Sequence, residues 1–193
     1  MYSRVLWIIF AISASVIINS CDRIDTGSAK IVSKKITESG WSGFKQFFID
    51  SSGKVNRIED GDVVSEGQAY AMLRAVWMDD KECFDNCYRW TEENLSRVKT
   101  KSDNLLAWQW KQGEVYDWMP ASDADIDYAL SLIFADYKWS KKNLVGVEDY
   151  GGKAKAVLSD ILDKETFRTL SGKLYLGPWV MDDKDSNSYA LNP

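Results

Sequence analysis

Two carboxylic acids occupy matching places in this chain. Glu66 lies in Ser65-Glu66-Gly67-Gln68 and Asp123 in Ala121-Ser122-Asp123-Ala124-Asp125, each directly after a serine and ahead of a long apolar run. The 193 residues include no histidine, which excludes Ser-His-Asp and Cys-His nucleophilic systems, histidine-ligated zinc and proton transfer by imidazole. Any proton transfer therefore falls to carboxylates, lysine, tyrosine or cysteine. Acids are favoured in the first turn of any helix, because the free N–H groups and the helix dipole welcome negative charge. Position alone therefore gives neither acid a catalytic role. Their surroundings say more: Tyr70 and Trp77 follow Glu66 and Trp118 precedes Asp123, the mixture of aromatic and small residues that a walled pocket requires.

The elements that would position these acids are helical. Ser65 with Gln68, and Ser122 with Asp125, each read as a capping box at the start of a helix. Behind them Ala69 to Met78 and Ile126 to Trp139 supply the apolar runs. Ile31, Ile36, Trp41, Phe44, Phe47 and Phe48 recur at near-helical spacing in a segment beginning at Lys30. Asp50-Ser51-Ser52-Gly53 is a turn. Cys83 to Arg97 is a second amphipathic helix, joined to the one before it by Asp79, Asp80 and Lys81 as in a helical hairpin. Asn104 to Lys111 is expected as a short strand, or as an extended loop carrying Trp108 and Trp110 on one side. A further helix is expected from Val147 to Leu162, weakened by Gly151 and Gly152. A short strand is expected around Leu174 to Leu176. Helices dominate, which suits stacked helical hairpins and not an α/β sheet.

The segment Ser65-Glu66-Gly67-Gln68-Ala69-Tyr70-Ala71-Met72 resembles the one bearing the general acid of glycoside hydrolase family 8, the bacterial endoglucanases, xylanases, lichenases and chitosanases. Ala121-Ser122-Asp123-Ala124-Asp125, continued by Ala129, Ser131, Leu132, Ile133, Ala135 and Trp139, is similar to that family's second signature. Tyr128 departs from it, standing where the family usually has Ile or Met. The stretch from Gly53-Lys54-Val55 through Asp80, Phe84, Trp90, Thr91 and Leu95 to Trp108 follows the family in the same order, and the likeness covers roughly residues 30 to 193.

The resemblance implies an all-α fold, an (α/α)6 barrel with a sugar cleft across one end. It also implies inverting hydrolysis of internal β-1,4 bonds, with cellulose or another β-glucan the foremost substrate and no cofactor or metal. In that mechanism one carboxylic acid protonates the leaving oxygen while a carboxylate on the other face of the sugar activates water. Glu66 matches the acid. Asp123 matches an aspartate beside the ring being cleaved, described in some assignments as nucleophile or base; an inverting path leaves it the task of orienting and electrostatically supporting the ring. A helix N-terminus favours the ionised form of Glu66, whereas a general acid must hold its proton, so burial against aromatics and a nearby ionised Asp123 must prevail. Asp125, as the acidic member of a capping box, needs no catalytic duty. Sugar rings lay their C–H faces on indoles, which makes Trp108, Trp110 and Trp179 candidates for substrate binding; each could equally be a packing residue.

Length bears on the barrel. About twelve helices over 193 minus 20, or 173, mature residues leave roughly 14 residues for each helix with its loop, fewer than ordinary helices and connections use. Leu191-Asn192-Pro193 resembles the opening of a further family segment, Asn-Pro-Ser-Tyr-Phe. The domain over 30–193 is accordingly expected to be the first half of the barrel, without the family's base, and inactive or nearly so on soluble β-glucan by itself. The competing reading is a non-catalytic carbohydrate-binding lipoprotein of the bacterial envelope; a third is a helical protein-interaction module.

Compartment follows from the N-terminus. Val5 to Ile18 is an apolar run of 14 residues after a short basic lead, the length of a signal-peptide core and short for a membrane span. Ile18-Asn19-Ser20-Cys21 resembles a bacterial lipobox, in which the cysteine is lipidated. Residues 1–20 then form a signal peptide, Cys21 the lipid attachment site and residues 21–29 a polar tether, giving an exported, membrane-anchored protein; ordinary cleavage near Ser20 is the alternative. Cys83 and Cys87 are either a strained disulfide or two thiols. With 24 basic against 29 acidic residues, the net charge argues against nucleic acid as a partner and leaves a polysaccharide or oligosaccharide.

Overall fold

The computed structural model describes residues 26–140 and 149–180; Cys21, the apolar run Val5 to Ile18 and Leu191-Asn192-Pro193 lie outside them. The chain divides into two compact units between Ser42 and Gly43, within the first helix, α1 (Thr26–Phe48). In the first unit, Ser33 and Thr37 hydroxyls donate back to the carbonyls of Lys30 and Ser33, and Lys34 pairs with Glu38 at 3.7 Å. Helix α1 begins at Thr26, so residues 26–29 of the polar stretch 22–29 are helical.

The second unit is built from two helical hairpins. Helix α2 (Ser65–Trp77) turns through Met78, Asp79 and Asp80 into α3 (Lys81–Asn94). Asp79 adopts φ 60° there, and the Asp80 side chain caps α3 by accepting from the Cys83 N–H. Helix α5 (Ser122–Trp139) is followed by α6 (Tyr150–Asp160), which runs on as a π-helical turn over Ile161–Glu165. The glycines that weakened α6 as a sequence serve its start: Asp149 accepts from the Gly152 N–H at 2.8 Å, and a Cβ on Gly152 would lie 2.2 Å from that carboxylate. A short helix α4 (Val98–Lys101) follows α3.

Helix α2 packs on α3 and on α5, and α5 on α6. The buried face of α2 is rich in small residues, Ala69, Ala71 and Ala75 beside Met72, Leu73 and Val76, and meets Ala124, Ala129, Leu132 and Ala135 of α5. Small side chains permit close interaxial approach. At one end Lys138 of α5 donates to the Val76 carbonyl and pairs with Asp79. At the other, the first turns of α2 and α5 share partners, as described below, so the two helices run parallel. The aromatic side chains of Phe84, Tyr88, Trp139 and Tyr150 close the first end with ring separations of 5.3 to 6.4 Å. Tyr128, the departure from the family signature, is fully buried; its hydroxyl donates to Glu92, which Lys153 also holds.

Two small sheets complete the unit. β1 (Val63–Val64), β2 (Gln109–Lys111) and β3 (Glu114–Asp117) form an antiparallel meander, and β4 (Thr166–Arg168) pairs with β5 (Leu174–Leu176). The expected strand over Asn104 to Lys111 thus shrinks to β2, with a bulge at Gln109 and Trp110. Cys83 and Cys87 are free thiols. No helix among the described residues is long and apolar enough to cross a membrane.

Candidate active site

Neither expected capping box forms, and the reason is burial. Val64 and Ala121 occupy the N-cap positions, and neither helix has a side-chain cap. Gln68 is completely buried and is used for tertiary bonds. Its Oε1 accepts from the Val55 N–H at 2.5 Å, while Nε2 donates to the Gly53 carbonyl, the Thr91 hydroxyl and the Cys87 carbonyl. Asp125 is likewise completely buried and accepts from the Leu106 N–H at 2.8 Å. The residues that resembled caps therefore lock the site's turns to the chain around them, and Asp125 is not the idle capping acid the pattern suggested.

Glu66 projects half-buried from the first turn of α2. The indole N–H of Trp108 donates to its Oε1 at 3.1 Å and the Ser65 hydroxyl lies 3.2 Å from its Oε2. The backbone enforces this meeting, since the Ser65 N–H donates to the Trp108 carbonyl and the Trp108 N–H to the Met119 carbonyl. Asp123 stands exposed on the first turn of α5, with its Oδ1 accepting its neighbour's N–H. Tyr70, one turn beyond Glu66, is half exposed; its partial burial, and then the charges of Asp123, Asp127 and Glu66, hold its phenol above the ordinary range, so all three acids lie within electrostatic reach of it. Asp127 is raised by burial and by Asp123. Parallel packing of α2 and α5 thus brings Glu66, Tyr70, Trp108, Asp123 and Asp127 to one end of the unit. A groove of about 610 Å³ adjoins this group, shares Tyr70 with it and is lined by Phe48, Val55, Ile58 and Val64 with Arg57 at its rim.

The other two indoles differ. Trp110 packs edge-on against Trp90 at 5.5 Å beneath the Lys54 ammonium, and no bond links it to Glu66 or Asp123. Trp179 is 46% exposed and follows Pro178, whose carbonyl accepts the Ser122 N–H at 3.0 Å, so its backbone lies beside the Asp123 turn. Asp127 carried no sequence signal beyond its place one turn after Asp123. Behind the turns, the sequence also gave no sign of a buried ionisable group of Arg97, Asp103, Asp125 and Glu165. Burial raises the Asp125 carboxyl well above its ordinary range and pushes Glu165 up to about 8. Among the described residues no cluster of cysteine and carboxylate side chains is placed to hold a metal.

Comparison with known proteins agrees with this arrangement. The family model described as glycosyl hydrolases family 8 matches residues 19–193. The chain is 31% identical to an endoglucanase of Escherichia coli over 160 residues, which is 79% of this chain and 42% of that protein. It is 27% identical to an endoglucanase of Cellulomonas uda over 174 residues, 88% of this chain and 46% of the relative. The solved endo-β-1,4-glucanase of Acetobacter xylinum superposes with a TM-score of 0.69 at 28% identity, covering 81% of this chain and 47% of that one. The chain therefore spans less than half the length of these relatives, and its helices match the corresponding part of the family's (α/α)6 barrel.

Proposed function

The chain belongs to glycosyl hydrolase family 8, and on that footing we propose that the paired first turns of α2 and α5 form the acid-bearing wall of a site that hydrolyses internal β-1,4-glycosidic bonds in cellulose-type β-glucan. The substrate class rests on the endoglucanases among its relatives. Glu66 is the general acid. The Trp108 N–H engages Oε1 as an acceptor, so the transferable proton sits on Oε2, where the Ser65 hydroxyl can accept it until a glycosidic oxygen replaces that hydroxyl. Asp123 supports the positive charge that develops on the ring as the C–O bond breaks. The path is inverting, and it also requires a carboxylate on the opposite face to activate water, a role assigned to none of the described residues. Trp108 and Trp179 offer stacking surfaces beside the two acids.

The observation that carries this reading is the Trp108–Glu66 bond, made at the N-terminus of a helix parallel to the one bearing Asp123. Cellopentaose followed by NMR at its anomeric positions tests it. Cleavage that yields the α-anomer first, and that Glu66→Gln lowers by about 100-fold or more, supports the acid role; cleavage indifferent to Glu66→Gln refutes it. A non-catalytic carbohydrate-binding role is the second reading. It is favoured by Glu66, Tyr70, Asp123 and Asp127 all lying on α2 and α5, one side of a cleft, and binding of cellopentaose without cleavage would select it. We also propose an envelope location through lipid on Cys21, supported by the apolar run and lipobox-like residues. Loss of palmitate labelling in Cys21→Ala is the expected result.

A further inference from the structure

Behind the acid-bearing turns, Arg97, Asp103, Asp125 and Glu165 are 6%, 2%, 0% and 0% exposed. Arg97 donates to the Trp118 carbonyl at 2.7 Å and to Asp103 at 3.0 Å, and Lys164 reaches Asp103 at 3.1 Å from the rim. Asp125 spends one oxygen on the Leu106 N–H. Its other oxygen and both carboxyl oxygens of Glu165 meet no donor from the rest of the fold, and the two carboxyls are in hydrogen-bonding contact with each other. Arg97 attracts both and Asp103 repels both, while Asp123 repels Glu165. On the same helix, Tyr128 gives its hydroxyl to Glu92 and supplies no donor. Two ionised carboxylates in contact and away from water would repel each other and stay unsatisfied. A single proton removes the repulsion and turns one carboxyl into a donor to the other, which satisfies two of the three unpartnered oxygens.

We propose that Asp125 and Glu165 share one proton across neutral pH, and that this O–H···O bond is the clasp that positions Asp123 and Trp108 relative to each other. The connections run outward from the pair. Asp125 lies two residues after Asp123 on α5 and binds Leu106, two residues before Trp108, whose indole holds Glu66. The Glu165 carbonyl accepts the Gly177 N–H at 2.7 Å, and the next residue, Pro178, accepts from Ser122. The clasp thus joins the three segments that bring Asp123, Trp108 and Trp179 together. Only this positioning consequence rests on the proposed sugar chemistry; the shared proton does not.

Folding that captures a proton makes stability pH-dependent with a definite sign. Between the ordinary carboxylate range and about pH 8, the folded pair holds a proton that the unfolded chain has released. Stability conferred by the pair is therefore present at low pH, declines through that window and levels off above it. Urea unfolding of the full chain from about pH 5.5 to 9 measures this. One proton of linkage contributes up to about a tenfold fall in the folding constant per pH unit. Asp125→Asn and Glu165→Gln place a permanent amide donor in the clasp and are each expected to reduce the slope by about one proton; slopes unchanged in both variants overturn the proposal. Should neither variant fold, the infrared spectrum of Glu66→Gln protein at pH 7 must still show a buried carboxylic-acid C=O band that fades above about pH 8, and its absence overturns the proposal equally. For positioning, Glu165→Ala is expected to weaken cellotetraose binding about tenfold while Asp125→Asn keeps the wild-type affinity; equal affinities in all three proteins refute that role. The linkage and the band are read without sugar, so their failure is distinct from failure of the β-glucan reading.

Discussion

Replacing Gln68 with methionine separates a capping residue from a core tether. The volume is nearly conserved, so packing changes little, but three buried groups lose their partner: the Val55 N–H, the Gly53 carbonyl and the Thr91 hydroxyl. A buried polar group left unpaired costs about 1–3 kcal/mol, so three together are expected to cost about 3–9 kcal/mol. A residue serving only as a cap would cost about 1 kcal/mol. Urea unfolding followed by tryptophan fluorescence distinguishes the two, provided the denaturant slope is unchanged. A loss below about 1.5 kcal/mol would refute the tether, since it falls near the cap value and under the sum of even two unpaired groups. Because Gln68 lies two residues from Glu66 and holds the 53–55 turn against α3, the same variant is expected to loosen the acid's turn.

Gly53→Ala is expected to leave little folded protein by thermal circular dichroism, because φ is +92° and the new Cβ would lie 2.2 Å from the Asn86 carbonyl carbon. Arg97→Ala strips a buried acidic cluster of its main cation and is expected to cost about 3–5 kcal/mol, read by urea unfolding. Arg57 and Gln109 hold the Asp62 carboxyl below its usual range, so its stabilisation is present above the ordinary carboxylate range and lost as pH falls through the lowered value. Asp62→Asn should accordingly show a shallower loss of stability in an acid titration. Trp108→Phe keeps the ring but removes the donor to Glu66, and is expected to slow any β-glucan cleavage more than it weakens binding.

The helices of the second unit were legible because each carries a long apolar run. Ala69 to Met78 and Ile126 to Trp139 became α2 and α5 with little change of boundary, and Leu174–Leu176 is a strand as expected. The functions of Gln68 and Asp125 were not legible. Their spacing from Ser65 and Ser122 is that of a capping box, and only tertiary burial decides that their side chains turn inward. Trp108 and Trp110 were expected on one side of an extended segment. The bulge at Gln109 and Trp110 breaks the alternation, so one indole reaches Glu66 while the other packs on Trp90. β1 and β3 are too short to leave a periodic pattern. Glu165 lies about 40 residues from Asp125 and ends a π-helical turn, and no local pattern could have paired them. The placement of Glu66 and Asp123 at the same end of the unit depends on parallel packing of α2 and α5, which local periodicity did not reveal.

Calorimetric titration of the full chain with cellotetraose tests most directly that Glu66 and Asp123 face one sugar chain. Saturable binding is expected, retained within a few-fold by Glu66→Gln, whose amide keeps the acceptor for Trp108, and weakened about tenfold or more by Asp123→Ala and by Trp108→Ala. Absence of binding, or binding indifferent to both Asp123 and Trp108, would contradict the account.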